Sequence, residues 1–382
     1  MRVRLIDLEP RLRAVRPQLD AAIARVLDRG RFVLGEEGER FESAFAALTG
    51  AEHAIGCASG SDALLLSLLS LGIGPGDQVI VPSLTFVSSA TAVTRLGAEV
   101  VFADIDGESL TLDPASVAEA AALCTRLRAI VPVHLFGRCA EGDALRAVAE
   151  RSGATLVYDA AQAVGSRDEK GAPPGASGEL TTFSFYPTKN LGALGDAGAV
   201  TTSDSAHAAR LRALRVHGAG QPDHRPGVGI NSRLDELQAA ALLVLLPGLE
   251  QDVVRRNDGA DDYDARFAAA AADELGLRTP RRPGPGARHA FHQYVIRVPA
   301  HRRDALAAAL AHAGIETARY YRVPLHRQPA FQARRVLDAP LAETERVARE
   351  LLALPVHAGV GDAERHHVVT TATDCLRRTA TG

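Results

Sequence analysis

The stretch Thr182-Phe-Ser-Phe-Tyr-Pro-Thr-Lys-Asn-Leu-Gly192 runs from an apolar strand pattern directly into a proline and then Lys189. Ligands bind outside the carboxyl ends of strands in open α/β sheets, so this lysine is predicted to face a ligand site. Desolvation between apolar residues and a glycine turn would lower the pKa of its amine and favour nucleophilic or Schiff-base chemistry. The alternative is a solvated loop lysine.

A second strand end lies earlier in the chain, in Thr155-Leu-Val-Tyr-Asp-Ala-Ala-Gln162. Asp159 closes an apolar strand pattern there, and Gln162 lies just beyond it. A carboxylate at such a place needs a partner, and the protonated ring nitrogen of pyridoxal phosphate supplies one, because that pairing keeps the ring an electron sink. A helix cap or a turn is the simpler use of a single aspartate.

The region around these two segments has the pattern of a doubly wound α/β fold. From Ala54 to Asp204, short runs rich in Val, Ile and Phe alternate with helical patterns, which is typical of βαβ units and a mainly parallel sheet. The predicted strands are Val79–Val81, Val100–Asp104, Ala129–Leu135, Thr155–Tyr158, Thr181–Tyr186 and Ala199–Thr202. The predicted helices are Ala63–Leu71, Ser89–Leu96, Pro114–Ala122 and Glu141–Arg151.

Small residues open the first of these helices, in Ala58-Ser-Gly-Ser-Asp-Ala-Leu64. Free amides at Gly60, Ser61 and Asp62, together with the helix dipole, would form an anion site suited to a phosphate. Ser59 or Ser61 as an ordinary helix cap is an equally frequent use of this pattern.

The second part of the chain predicts a smaller α+β domain. Ser232 is placed to cap an Ala/Leu-rich helix, with Glu236 nearby. The turn-rich segment Thr279–Gly286 then reads as a linker or surface loop. A strand over His292–Val298 and helices over Asp304–Ala313 and Leu341–Leu352 are predicted after it.

Composition and charge narrow the functional class. The 382 residues are 46% hydrophobic and 23% charged with a formal net charge of -3, which is an ordinary globular balance. The sequence has no dense basic run, so nucleic acid is not an expected partner. The apolar run Ala239–Leu246 is too short to span a membrane, and a cytoplasmic protein is expected. The four cysteines form no CxxC pair, so no metal site is predicted.

Lysine usage is unusual. Of 43 basic side chains only two are lysines, Lys170 and Lys189. Arginine replaces lysine wherever a positive charge suffices, so each remaining lysine is a candidate for a role that needs an amine.

Taken together, these segments resemble the pyridoxal-phosphate-dependent sugar-nucleotide aminotransferases of the DegT/DnrJ/StrS group. The resemblance extends from Leu5 to about Leu354. Its strongest motifs begin at Phe32 (FVLGEE), Ser59 (SGSDAL), Gly76 (GDQVIVPSLTF), Val131 (VPVHLFG), Asp159 (DAAQ), Ser184 (SFYPTKNLG) and Gly229 (GINSRLDELQAA). Each motif is weak alone, but their order and spacing are highly specific.

The resemblance implies the type I fold of pyridoxal-phosphate-dependent transferases. A large domain, residues 1–250, would hold a mainly parallel seven-stranded sheet flanked by helices, and its N-terminal segment would be able to cross to the small domain. Residues 251–382 would form the small C-terminal α+β domain.

The resemblance also assigns roles to individual residues. Lys189 would bind the cofactor covalently and Asp159 would pair with its ring nitrogen. Phe86 would stack on the ring and Gln162 would reach the ring hydroxyl. The cofactor phosphate would be held by Gly60, Ser61, Ser184 and, from the neighbouring subunit, Asn231. A homodimer with shared active sites follows from that last contact.

The substrate side departs from the family pattern in two places. The family commonly has His-Tyr-Pro followed by Pro-Leu-His, whereas this chain reads Arg319-Tyr-Tyr-Arg-Val-Pro-Leu-His326. Tyr320 and His326 are therefore candidate sugar contacts, and the alternative is a loop that packs at the rim of the site without touching the sugar. Arg225 stands near the place of a Lys-Tyr pair and suits a diphosphate, with a solvated loop arginine as the alternative. His134 is a further candidate, or a packed histidine behind the site.

The implied activity is transfer of an amino group from L-glutamate to a nucleotide-linked ketosugar, most consistent with a dTDP-3-keto-6-deoxyhexose. A dTDP-4-keto-6-deoxyhexose or a keto-inositol is the alternative acceptor. A cofactor-binding regulatory protein without chemistry is a separate alternative, which the complete set of Lys189, Asp159 and Ser184 disfavours.

Overall fold

One seven-stranded sheet organises the first two thirds of the chain. The structure, a computed structural model, describes residues 1–219, 227–332 and 341–380. The strands are β1 (His53–Cys57), β2 (Gln78–Pro82), β3 (Glu99–Ala103), β4 (Leu127–Ile130), β5 (Thr155–Asp159), β6 (Leu180–Ser184) and β7 (Gly198–Thr202). Their order is β1-β7-β6-β5-β4-β2-β3, and only β7 runs antiparallel to its neighbours. The predicted seven-stranded, mainly parallel sheet is confirmed.

Helices cover both faces of this sheet. Those preceding or connecting its strands are α1 (Glu9–Ala14), α2 (Arg16–Arg29), α3 (Glu36–Thr49), α4 (Gly60–Ser70), α5 (Ser88–Arg95), α6 (Pro114–Leu123) and α7 (Gly142–Ser152). Those that follow the sheet are α8 (Ser205–Leu214), α9 (Glu236–Leu245), α10 (Leu249–Ala269), α11 (Ala300–His312), α12 (Pro329–Gln332), α13 (Ala342–Glu350) and α14 (Asp362–Ala380).

Strand β2 shows why the sheet needs cover on both faces. Val79 and Val81 belong to the same buried cluster as residues of α4, α5 and α8, whereas Ile80 lies in the cluster with residues of α6 and α7. Successive side chains of a strand point to opposite faces, so an apolar strand without alternation must be buried on both sides. The same arrangement places consecutive residues of β5 on opposite faces.

A second core forms around a two-stranded antiparallel sheet, β8 (Tyr294–Arg297) and β9 (Leu351–Leu354). Tyr263, Phe267 and Phe291 pack in this core with residues of α11 and α14. The N-terminal segment joins it, because Val3 is fully buried there and pairs with Ile315.

Several predicted boundaries are wrong, and two of the errors have a clear physical cause. The predicted helix 341–352 ends at Glu350, because Leu351–Leu354 is an apolar run that pairs with β8 and is buried throughout. The predicted strand 129–135 ends at Ile130, since Pro132 has no amide to donate to a ladder. Strand β1 was missing from the predicted set.

The apolar helical region 236–269 is long and apolar enough to cross a membrane by length and composition alone. In the fold, Ala239, Leu242 and Leu245 are buried with Phe41 and Phe45 of α3, and Ala240 is buried with Ala22 and Val26 of α2. These side chains therefore serve as core, in keeping with a helix that packs one face inside a globular domain.

Glu236 has a structural role that differs from the expected one. Helix α9 starts at Glu236 without a side-chain cap, and the Ser232 hydroxyl instead accepts a hydrogen bond from the Ala58 amide at 3.1 Å. The Glu236 carboxylate is buried and accepts the amides of Gly35, Glu37 and Gly38 at 2.9–3.0 Å. It thus caps the start of α3, where the helix dipole favours a negative charge.

Replacing Glu236 by Ala is expected to lower the free energy of unfolding by about 2–4 kcal/mol, because three amides at the start of α3 lose their acceptor. Urea denaturation measures this loss. Glu39→Ala is the matched control, since Glu39 is exposed on the same helix. Equal losses in the two variants would contradict the capping role.

Candidate active site

The carboxyl ends of β5 and β6 bring the two central side chains together. Asp159 is the last residue of β5, and Lys189 follows the end of β6 by five residues. The strands are adjacent and parallel, with Asp159 paired with Thr182, so both side chains reach the same edge of the sheet. The structure therefore joins the two residues that the sequence singled out.

Lys189 lies half-buried at this edge. Burial lowers the pKa of its amine to about 8, and the Asp159 carboxylate acts against this shift. Among the described residues, no hydrogen bond or ion pair holds the Nζ atom. Near neutral pH a larger fraction of such an amine is unprotonated than of an ordinary lysine amine, and the unprotonated form is the one that attacks a carbonyl carbon or accepts a proton.

Asp159 is buried beside it, with 5% of its surface exposed. Its Oδ2 accepts a hydrogen bond from the Ser89 hydroxyl at 3.1 Å, and its Oδ1 accepts the Ala161 amide at 3.0 Å. Burial raises the pKa of this carboxyl, while the Ala161 amide, the Lys189 ammonium and the Ser89 hydroxyl oppose that rise. A buried acid in this position is stabilised in its charged form by a further cation.

The start of α4 forms a cradle against the end of β6. Ser59 caps the helix by accepting the Asp62 amide at 3.1 Å, which leaves the amides of Gly60 and Ser61 without an acceptor in the described part of the chain. A Cβ atom added to Gly60 would lie 2.6 Å from the Ser184 Cβ. Only glycine therefore allows this close approach. The free amides and the Ser184 hydroxyl suit a phosphate.

Two further contacts lie near this edge. Ser61 and Ser88 share a hydrogen bond of 2.6 Å between their hydroxyls. Phe86 is 54% exposed, and its ring centroid lies 6.3 Å from that of Tyr321. An exposed aromatic ring at the end of β2, next to Tyr321, is available to stack on a planar ligand.

Gln162 is held in place from two sides. Its Oε1 accepts the Phe136 amide at 2.7 Å, and its Nε2 donates to the Tyr321 hydroxyl at 3.0 Å. Both bonds fix the orientation of the amide group. Tyr321 belongs to the segment after β8, so this contact ties the second core to the edge of the main sheet.

His134 points elsewhere. Its ring stacks on Tyr158 with a centroid distance of 5.1 Å, and its Nδ1 accepts the Ala140 amide. Tyr158 precedes Asp159 on β5 and so points to the opposite face of the sheet. Burial lowers the pKa of His134 to about 4, which keeps the imidazole neutral. The geometry therefore fits the packed histidine considered from sequence, and its substrate role stays a prediction.

The structure describes two of the other substrate candidates, His326 and Tyr320, and the phosphate candidate Asn231. His326 is buried, with Nδ1 2.6 Å from the Ser83 hydroxyl and Nε2 3.1 Å from a Glu345 carboxylate oxygen. Tyr320 is half-buried, with its ring 5.8 Å from that of Tyr321. Arg225 lies outside the described residues. Asn231 is exposed and pairs through its backbone with Val216.

Sequence reasoning missed Ser88, Ser89 and Tyr321. The two serines come after Phe86 and Val87 at the start of α5, so the signal was the run of hydroxyl residues that follows the end of β2. Tyr321 lies next to the substituted position 320, yet nothing in the sequence indicates that it meets Gln162.

These residues fit the cofactor that the resemblance implies. The cradle at Gly60 matches a phosphate, the buried Asp159 carboxylate suits a protonated ring nitrogen, and Phe86 offers a ring face. Within residues 1–219, 227–332 and 341–380, no three His, Cys, Asp or Glu side chains group as metal ligands.

Comparison with protein families gives one match across most of the chain. The DegT/DnrJ/EryC1/StrS aminotransferase family matches residues 14–373.

Three curated relatives illustrate the range of described roles. The dTDP-3-amino-3,4,6-trideoxy-alpha-D-glucose transaminase of Streptomyces venezuelae is 44% identical over 93% of this chain and 91% of its own. The UDP-N-acetyl-3-dehydro-alpha-D-glucosamine 3-aminotransferase of Acidithiobacillus ferrooxidans is 38% identical over 99% and 98%. A pleiotropic regulatory protein of Geobacillus stearothermophilus is 39% identical over 100% of both chains.

Two solved structures share the fold. The crystal structure of S. venezuelae DesV in complex with a ketimine intermediate has a TM-score of 0.93 at 42% identity and covers 99% of each chain. Bacillus subtilis NtdA with its bound cofactor PMP has a TM-score of 0.87 at 27% identity, over 98% of this chain and 83% of that one.

The lowered pKa of Lys189 predicts a specific pH profile for its reactivity. In cofactor-free protein, labelling of Lys189 by an amine-acylating reagent should rise steeply up to about pH 8 and level off above it, since the neutral amine is the reactive form. Peptide mass spectrometry in a Lys170→Arg background isolates the signal, because Lys189 is then the only lysine.

N-acetyl-lysine amide labelled in the same solutions is the control, and its rate should go on rising to about pH 10.4, the ordinary value of a lysine amine. A Lys189 profile that follows this control would contradict the desolvated site.

Proposed function

The chain belongs to the DegT/DnrJ/EryC1/StrS aminotransferase family, and on that premise we propose that it transfers an amino group from L-glutamate to the 3-keto carbon of a dTDP-linked 6-deoxyhexose. It is a sugar aminotransferase that uses pyridoxal phosphate, as the sequence resemblance predicted. The carbon, the nucleotide, the donor and the oligomeric state are our proposals.

The observation that carries the proposal is that Lys189 and Asp159 lie at the ends of adjacent parallel strands, where their charges interact. Bound pyridoxal phosphate supplies an electron sink for negative charge on a substrate carbon. Asp159 would hold the ring nitrogen, Phe86 the ring face and Gln162 the ring hydroxyl. Gly60, Ser61 and Ser184 would hold the phosphate. This use of the residues accounts for the free amides of α4 and for the buried carboxylate.

The Lys189 Nζ has two tasks in this proposal. It anchors the cofactor and, once released, carries a proton from the donor carbon that bears the amino group. Its lowered pKa suits both, since the neutral amine is the nucleophile and the base. The same Nζ returns a proton to the sugar carbon in the second half of the reaction.

The neighbouring residues prepare the lysine and the acid for these tasks. The Ser89 hydroxyl and the Ala161 amide orient the Asp159 carboxylate. Phe136 and Tyr321 hold the Gln162 amide. Preorganised donors and acceptors lower the reorganisation that a reaction requires.

We further propose a cytoplasmic homodimer. Asn231 is exposed, makes no contact with Ser184 or Gly60 of its own chain, and lies near Val228, which is 88% exposed. These surfaces are available to a second copy, in which Asn231 of the partner subunit would complete the phosphate site.

Amination at carbon 3 of a nucleotide sugar is supported by relatives of high coverage. The names of the Streptomyces and Acidithiobacillus enzymes both specify position 3, although one acts on a dTDP sugar and the other on a UDP sugar. The Streptomyces enzyme has the higher identity to this chain, which favours the dTDP sugar.

Replacing Lys189 by Ala is expected to lower the transamination rate by at least about a thousandfold, because no other described amine can take the proton. Lys189→Arg should be equally inactive, since it keeps the charge but not the nucleophile. Unchanged unfolding temperatures would show that both variants fold. Substantial turnover by either variant would contradict the proposal.

A panel run in the reverse direction tests the acceptor. Each amino compound is incubated with 2-oxoglutarate, and glutamate formation is measured. A dTDP-3-amino-6-deoxyhexose should react faster than the 4-amino isomer and an amino-inositol. Preference for the 4-amino isomer would overturn the regiochemistry, and preference for the amino-inositol would overturn the substrate class.

A further inference from the structure

A second cleft opens on the face of the main sheet opposite Asp159. It has a volume of about 720 Å³ and is lined by the start of α7, the segment 167–177 and residues near Arg288. Neither Lys189, Asp159 nor Ser184 lines it. Its volume lies within the range of small-molecule sites.

The amino end of α7 faces this cleft. The helix has eleven residues, begins at Gly142 and has no side-chain cap from Glu141. Within the described residues, the amides of Gly142, Asp143 and Ala144 donate to no acceptor. An uncapped helix start directs amides and a partial positive charge at whatever occupies the cleft.

Tyr158 provides an independent indication of a ligand. Its side chain lines the cleft, only 4% of the residue is exposed, and its hydroxyl has no hydrogen-bond partner. A Cβ atom added to Gly142 would lie 3.5 Å from that hydroxyl, so the phenol and the free amides converge. Leaving a buried hydroxyl unpaired costs free energy that a ligand would recover.

Two arginines on the cleft wall form no ion pair within 4 Å in the described chain. Arg138 donates to the Arg281 carbonyl and Arg167 to the Gly171 carbonyl, and neither forms an ion pair. One acid of the cleft wall, Asp143, forms ion pairs with Lys170 and Arg146. Glu141, Asp168 and Glu169 also line the cleft, and the Asp168 carboxylate accepts the amides of Lys170 and Ala172.

Lys170, the other of the two lysines in the chain, also lines the cleft. The aminotransferase chemistry uses only Lys189. Lysine binds phosphate as a point charge, and arginine binds it through two parallel hydrogen bonds. The cleft therefore combines both types of phosphate donor with helix amides and a phenol.

We propose that this cleft is a second, non-catalytic site that binds a phosphorylated, hydroxyl-bearing small molecule, with its phosphate at the start of α7. Gly142, Asp143 and Ala144 donate their amides, the Tyr158 hydroxyl donates beside them, and Arg138 and Arg167 bind the outer phosphate oxygens. The hydroxyls of Ser109, Thr111 and Ser177 line the remaining space, which suits a sugar or ribose ring.

Isothermal titration of the full-length, cofactor-loaded protein tests the proposal with three probes: inorganic phosphate, glucose 1-phosphate and thymidine monophosphate. Glucose 1-phosphate or thymidine monophosphate should bind saturably. Arg138→Gln and Arg167→Gln should each weaken that binding about tenfold or more. Tyr158→Phe, which keeps the ring and removes only the hydroxyl, should weaken it about threefold or more.

Arg151→Gln is the matched control, because Arg151 is exposed at the far end of α7. It should leave the affinity unchanged. The tighter of the two organic probes identifies the carrier of the phosphate as a sugar or a nucleoside. Binding of inorganic phosphate alone would overturn the ligand class.

Two other results would overturn the site. One is the absence of binding by all three probes at millimolar concentration. The other is binding that the cleft variants do not weaken, which would place the probe in the active site. Unfolding temperature and cofactor absorbance verify folding, and Tyr158→Phe decides the question if an arginine variant fails to fold.

Discussion

Lys189 and Asp159 lie at the ends of two adjacent parallel strands, where their opposite charges attract each other, and most of the local structure follows from that pairing. Burial pushes both groups toward their neutral forms, lowering the pKa of the amine and raising that of the carboxyl, while each charge favours the other. Ser89, near the start of α5, and Ala161, just after β5, fix the carboxylate. A basic amine and a buried acid in fixed positions are the elements that pyridoxal phosphate requires.

The main sheet positions residues of both the catalytic site and the second cleft. Because side chains alternate along β5, Asp159 faces the catalytic edge while Tyr158 lines the second cleft. His134 packs on Tyr158, and its backbone amide donates to the Asp159 carbonyl at 2.9 Å, so one short segment supports both faces. A ligand in the cleft would contact Tyr158, which belongs to the strand that positions Asp159.

Local patterns predicted much of this from sequence, and long-range contacts account for what they did not predict. The apolar strand ends placed Lys189 and Asp159 correctly at one sheet edge, and the small residues after β1 predicted the free amides of Gly60 and Ser61. The pairing of Leu351–Leu354 with β8, the capping of α3 by Glu236 and the bond from Gln162 to Tyr321 join residues far apart in the chain. Periodicity carries no information on such contacts.

The visible absorption spectrum of the protein with pyridoxal phosphate, recorded before and after L-glutamate is added without any ketosugar, tests the central claim most directly. The pairing of Lys189 and Asp159 predicts a band from the lysine-bound cofactor that glutamate converts to the pyridoxamine form. Lys189→Ala should show no such band. A band in the parent protein that glutamate leaves unchanged, or no band at all, would contradict the claim.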